Sequence, residues 1–175
     1  FKMRETLRIG LQDLLGNLDL TGVTQQLSLM ADVVLQRTYE ICRAELVRRH
    51  GEPRCVGPSG DKVCGFAIIG MGKLGGEELN FSSDIDLLFV YEGTGPDAAR
   101  QQLYARRLAE RLVAVLGEES VDGRLFRVDM RLRPEGRSGE LVRTLAGYRE
   151  YYDRWVETWE RQALIKARAV AGSPE

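Results

Sequence analysis

Asn80-Phe81-Ser82-Ser83-Asp84-Ile85-Asp86-Leu87-Leu88-Phe89-Val90-Tyr91 is the stretch on which the reading of this chain turns. The apolar run from Leu87 predicts a strand over about residues 84–91, closed by Gly93-Thr94-Gly95-Pro96. Side chains two apart on a strand share a face, so Asp84 and Asp86 project together while Ile85 turns towards a core. Two carboxylates so close repel unless a cation or a hydrogen-bond network compensates them. A hard divalent ion such as Mg²⁺ takes oxygen ligands and often joins carboxylates to a substrate phosphate. Just upstream, the short apolar strand Phe66-Ala67-Ile68-Ile69 runs into the turn Gly70-Met71-Gly72-Lys73-Leu74-Gly75-Gly76. Glycine lets backbone N–H groups approach a phosphate closely. Acids and turn together predict a phosphate-handling metal site.

Moving outward, Arg124 to Met130 reads as another strand, and Asp129 stands on it among apolar residues, where an unpaired charge is costly. It supplies a third carboxylate. Arg131 and Arg133 follow in the turn Arg131-Leu132-Arg133-Pro134-Glu135-Gly136, with planar donors suited to phosphate oxygens. Lys73 reads equally as a phosphate contact or a solvated turn residue.

Gly70, Gly72 and Gly75 also satisfy the G-x-G-x-x-G pattern of dinucleotide-binding folds, with Glu92 about 20 residues on. The gap to Asp84 is short for a crossover helix, and that reading leaves the paired aspartates unexplained. A P-loop fails because no Gly-Lys-Ser/Thr stands at the required spacing.

Residues 1–50 read as helical, with Leu27, Ala31, Val34, Thr38 and Ile41 as one stripe, Thr21 as an N-cap and Gly51-Glu52-Pro53 as the stop. Residues 51–62, with Pro53, Gly57, Pro58, Ser59 and Gly60, read as a loop. Tyr104, Leu108, Leu112, Val115 and Leu116 mark a third helix ending at Gly117. From Leu145 to Val170 the chain reads as helical, with Tyr148, Tyr152, Trp155 and Trp159 as a core-facing aromatic stripe. Glu160, Lys166 and Arg168 fit either a site or a solvated helix face, and His50 fits a helix end.

Composition narrows the class. The 175 residues carry a formal net charge of −1, which gives no reason to expect nucleic-acid binding. No apolar run reaches the roughly 18 to 20 residues that span a bilayer. Cys42, Cys55 and Cys64 are unevenly spaced, which argues against a disulfide framework and for a reducing, cytoplasmic setting. His50 is the sole histidine, which excludes a multi-histidine zinc site within the chain. The opening at Phe1, without an initiator methionine, predicts a piece of a longer protein.

The glycine turn, the Asp-x-Asp strand and the later Asp resemble the nucleotidyltransferase superfamily with a polymerase-β-like core. Gly70–Gly76, Leu79–Leu87 and Val128-Asp129-Met130-Arg131-Leu132-Arg133-Pro134, extended by Trp159-Glu160-Arg161-Gln162-Ala163 and Lys166-Ala167-Arg168, resemble one family within it. That family is the bifunctional glutamine synthetase adenylyltransferase/adenylyl-removing enzymes. The resemblance implies an α+β fold with a small mixed sheet, in which residues 1–52 are an N-terminal helical segment, 53–144 the nucleotidyltransferase core and 145–175 a C-terminal helical segment packed on it. It implies Asp84, Asp86 and Asp129 as catalytic metal ligands for one or two Mg²⁺ ions. Gly72, Lys73, Gly75, Gly76, Ser82, Ser83, Arg131 and Arg133 become nucleotide- or phosphate-binding residues.

Family members carry two such domains, one removing AMP from a tyrosine of glutamine synthetase and one adding it from ATP. Asn80-Phe81-Ser82-Ser83-Asp84 and Val128-Asp129-Met130 are similar to the removing, N-terminal copy, which implies phosphorolysis with release of ADP. The adding half-reaction and an inactive regulatory docking module are the alternatives. Implied partners are glutamine synthetase, a PII-type signalling protein, ATP or ADP, phosphate, and glutamine as an effector, with neither nucleic acid nor membrane.

Overall fold

Helix is the expected form of the first fifty residues, and the computed structural model, which describes residues 1–57, 60–121 and 123–173, contains two: α1 (Lys2–Leu14) and α2 (Leu20–His50). The cap of α2 is Asp19 rather than Thr21: its carboxylate accepts the Gly22 N–H at 2.7 Å. Leu27, Ala31, Val34 and Thr38 are buried as expected, but Ile41 faces solvent and Cys42 takes the inward place. A period of 3.6 residues carries the stripe round by that point. Gly51, at φ +75°, ends the helix where expected.

Where a loop was expected after it, β1 (Arg54–Gly57) and β2 (Gly60–Val63) pair as an antiparallel hairpin. Pro58 and Ser59 lie outside the described residues. Then come β3 (Phe66–Met71), the single turn α3 (Gly72–Gly75), β4 (Ile85–Tyr91), α4 (Ala98–Gly117) and β5 (Val128–Asp129). Of the predicted 124–130 strand, only Val128 and Asp129 pair, with β4. A further short strand, β6 (Val142–Thr144), leads into α5 (Leu145–Arg154) and α6 (Thr158–Leu164).

The tail departs most from expectation. Arg168–Gly172 is a strand, β7, not the end of a helix. Its small alternating residues fit beside β3, to which it pairs antiparallel. The aromatic stripe is likewise corrected: Tyr148 and Tyr151 are buried, whereas Trp155 is 71% and Trp159 52% exposed. The break between α5 and α6 puts the tryptophans out of phase with the tyrosines.

The main sheet runs β5-β4-β3-β7, and β6 pairs with β4 beyond β5. β3 and β4 are antiparallel, while β5 and β6 run parallel to β4. An antiparallel β3–β4 pair excludes the parallel βαβ unit that dinucleotide binding requires. The result is the expected α+β fold with a small mixed sheet. One apolar cluster runs from Leu27 and Leu35 of α2 through Ile68, Ile85, Leu87 and Phe89 to Leu108 and Leu112 of α4, and takes in Val170 of the tail. Cys42, Cys55 and Cys64 are free and buried, as small apolar residues should be. Among the described residues no helix is long and apolar enough to cross a membrane.

Candidate active site

Strand register brings the acids together. Asp86 of β4 lies directly beside Asp129 of β5, and Met71, the last residue of β3, lies on its other side. Asp84 precedes β4 by one residue, and its neighbour Ile85, fully buried, donates its N–H to the Arg127 carbonyl at 2.9 Å. That bond, together with the β4–β5 pairing, stitches the segment carrying Asp129 to the one carrying Asp84.

The three carboxylates are compensated unequally. Asp84 pairs with Arg127 at 2.5 Å. Asp129 is bracketed by Arg131, whose backbone N–H reaches Oδ1 at 2.8 Å and whose Nε reaches Oδ2 at 2.7 Å. Those bonds, chiefly the side-chain one, hold Asp129 below the ordinary carboxylate range, with Arg137 adding a longer-range pull. Asp86 has no such partner among the described residues. Desolvation pushes its pKa up first, then repulsion from Asp129 and from Asp84, against a weaker pull from Arg131.

Gly72 stands against this carboxylate. Its φ is +53°, and a Cβ there would meet Asp86 Oδ2 at 2.7 Å, so both its conformation and its neighbour require glycine. Gly75 answers a different demand. A Cβ there would meet the Lys166 and Gly70 carbonyl oxygens at 2.0 and 2.5 Å, so this glycine lets the turn pack beneath the approach to β7. The Gly76, Glu77 and Glu78 N–H groups donate to the carbonyls of Gly72, Leu74 and Lys73, closing the turn on itself.

The other expected contacts divide. Lys73 is exposed, and neither its ammonium nor the Ser82 hydroxyl has a partner among the described residues. Ser83 instead closes a turn, its hydroxyl donating to Asn80 Oδ1 at 2.7 Å. Arg133 faces away from phosphate work: it donates to the carbonyls of Met130, Arg137 and Gly139 at 2.7, 2.9 and 3.2 Å, and so shapes the loop after Asp129. Glu160 is buried, accepting the Tyr151 hydroxyl at 2.9 Å and capping α6 through the Glu157 N–H. Lys166 pairs with Glu78 at 2.6 Å. No sequence signal marks Arg137, whereas Arg127 stands two residues before Asp129, on the same face of an extended chain.

Among the described residues no three His, Cys, Asp or Glu side chains close on one point as metal ligands do, because Asp84 and Asp129 are turned to their arginines. The donor chemistry nevertheless suits a hard divalent ion: three carboxylates, no sulfur or imidazole, and an under-compensated Asp86 in the middle. A cation there can take over the counter-charge that Arg127 and Arg131 now provide.

Residues 1–175 match the family model described as glutamate-ammonia ligase adenylyltransferase. The bifunctional glutamine synthetase adenylyltransferase/adenylyl-removing enzyme of Burkholderia mallei (strain ATCC 23344) is 47% identical over 165 residues, covering 91% of this chain and 18% of the relative. The protein of the same description from Mycobacterium tuberculosis (strain ATCC 25618 / H37Rv) is 45% identical over 177 residues, covering 99% of this chain and 17% of the relative. That from Thioalkalivibrio sulfidiphilus (strain HL-EbGR7) is 41% identical over 179 residues, covering 98% and 18%. The chain therefore spans less than a fifth of the length of these relatives, and the match falls in their N-terminal region. With the family model matched from end to end, the chain belongs to the glutamate-ammonia ligase adenylyltransferase family.

Proposed function

We propose that this chain removes AMP from an adenylylated tyrosine of glutamine synthetase by Mg²⁺-dependent phosphorolysis, releasing ADP and reactivating the synthetase. The observation that carries the reading is the pairing of Asp86 on β4 with Asp129 on β5, with Asp84 just before β4 and the Gly72 backbone against the middle carboxylate. The removing direction is supported by the likeness of Asn80–Asp84 and Val128–Met130 to the removing copy of the family.

An oxygen of inorganic phosphate attacks the phosphorus of the adenylyl group. The bond to the tyrosine oxygen breaks, and the phenolate leaves and takes up a proton. The obstacle is the approach of two anions, so the site must position them and offset their charge. Asp84, Asp86 and Asp129 would hold Mg²⁺, which offsets that repulsion and stabilises the leaving phenolate. Arg131 is 65% exposed and adjoins the site, so its fork can turn from Asp129 to a phosphate once a cation takes the carboxylate. Lys73 and Ser82 offer uncommitted donors beside the acids. Phenolate is a fair leaving group, which suits a site without a histidine. Control by PII-type proteins and glutamine, and a cytoplasmic setting, belong to the same proposal and rest on the resemblance.

Incubating the chain with Mg²⁺, phosphate and adenylylated glutamine synthetase tests the proposal. ADP appearing as the synthetase loses the mass of AMP is the expected result. No ADP, with transfer of AMP from ATP to unmodified synthetase, would assign the opposite half-reaction.

A further inference from the structure

The turn that places Gly72 against Asp86 contains two left-handed residues, Gly72 at φ +53° and Glu77 at φ +57°. Such a turn holds its shape only when its surroundings fix it. Both of its ends are fixed by one face of α2. Ser28, fully buried, accepts the Leu79 N–H at 3.2 Å and donates to the Thr24 carbonyl at 2.8 Å. Four residues on, Asp32 accepts both arms of Arg168 at 2.7 and 3.2 Å. The same guanidinium donates to the carbonyls of Leu74 at 3.2 Å and Gly75 at 3.4 Å. One helical turn thus grips the segment where it leaves α3 and again where it turns towards Asp84.

We propose that Ser28 and Asp32, the latter through Arg168, are positioning residues that set the glycine turn against the catalytic carboxylates. The inference rests on the proposed nucleotidyltransferase site and extends it to a helix that contributes no group to the chemistry. α2 offers its own control. Gln36, one further turn along, accepts the Gly172 N–H at 2.9 Å and donates to the Gly172 carbonyl at 3.3 Å, holding β7 without touching the turn.

The test compares Ser28→Ala, Asp32→Asn and Gln36→Ala for melting temperature, for kcat and KM in ADP release, and for amide exchange at residues 72–79. Removing a positioning contact should lower kcat by about 10- to 100-fold, since small misplacements of reacting groups are costly. Ser28→Ala and Asp32→Asn should show that fall and faster exchange across the turn. Gln36→Ala should melt earlier yet keep kcat and exchange at 72–79. Equal kcat in all three variants, at matched folded fraction, would overturn the proposal. If the wild type releases no ADP, the functional reading fails, and the exchange data alone decide: unchanged exchange at 72–79 in Ser28→Ala would overturn the grip, faster exchange would uphold it.

Discussion

Of the aspartate–arginine pairs around the glycine turn and the acids, Arg168–Asp32 and Arg131–Asp129 behave as opposites. Arg168–Asp32 joins three elements: α2, the turn after β3, and β7. Its arginine is 28% and its aspartate 17% exposed, and the two carbonyls it also serves have no other side-chain donor among the described residues. Arg131–Asp129 joins residues two apart, its arginine 65% exposed. The first pair is wired into the fold and cannot open without freeing buried polar groups. The second guanidinium holds no other group among the described residues, so it can turn away without freeing one, although its aspartate is 14% exposed; that aspartate is what a cation would need. A carboxylate–guanidinium contact thus signals structure or function according to what else the guanidinium holds.

The largest effects should fall at the acids. Asp84→Asn, Asp86→Asn and Asp129→Asn should each lower turnover by at least about a thousandfold, because each removes charge from the proposed metal site. Asp86→Asn should do so with no loss of melting temperature in metal-free buffer. A sharp fall there would mean that Asp86 supports the fold.

Next in size is the contrast between the arginines. Arg168→Ala should cost roughly 2 to 4 kcal/mol of stability, through lost charged hydrogen bonds and an Asp32 carboxylate left without its partner. Arg131→Ala should leave the unfolding midpoint nearly unchanged, as exposed pairs do, yet slow phosphorolysis. Denaturant unfolding beside steady-state kinetics reads both. Equal stability costs would dissolve the distinction.

The aspartates should also differ in pH dependence. Asp86 is raised in the folded state, so its ionised form costs stability near neutral pH, and that cost disappears as pH falls through its folded pKa. Asp129 is lowered, so it contributes stability above the unfolded carboxylate pKa and loses it as pH falls through its folded value. Metal-free Asp86→Asn should therefore exceed the wild type in stability at pH 7 and converge with it in acid, whereas Asp129→Asn should fall below it at pH 7. The smallest effect belongs to Trp155→Ser, expected within about 0.5 kcal/mol of the wild type because the ring is solvated.

The acids and the glycine turn were legible because alternation along β4 and the side-chain freedom of glycine are local properties. Asp129 was legible because a charge among apolar residues demands an explanation. The strands β6 and β7 were not, since three to five residues of modest propensity become strands only through the partners they meet. For β7 that partner is β3, about a hundred residues earlier in the chain. Nor could sequence separate Arg131 from Arg133. Both follow Asp129, but the path of the loop to Gly139 decides that Arg133 binds carbonyls. The Trp155 and Trp159 spacing suggested one helix face, and the break between α5 and α6 turned both outward.

The most direct test of the account follows radiolabelled inorganic phosphate during reaction with adenylylated glutamine synthetase, for the wild type and for Asp86→Asn. Label should appear in the β-phosphate of ADP, dependent on Mg²⁺ and absent from the variant. Label remaining in inorganic phosphate while free AMP accumulates, or ADP formed equally by Asp86→Asn, would contradict it.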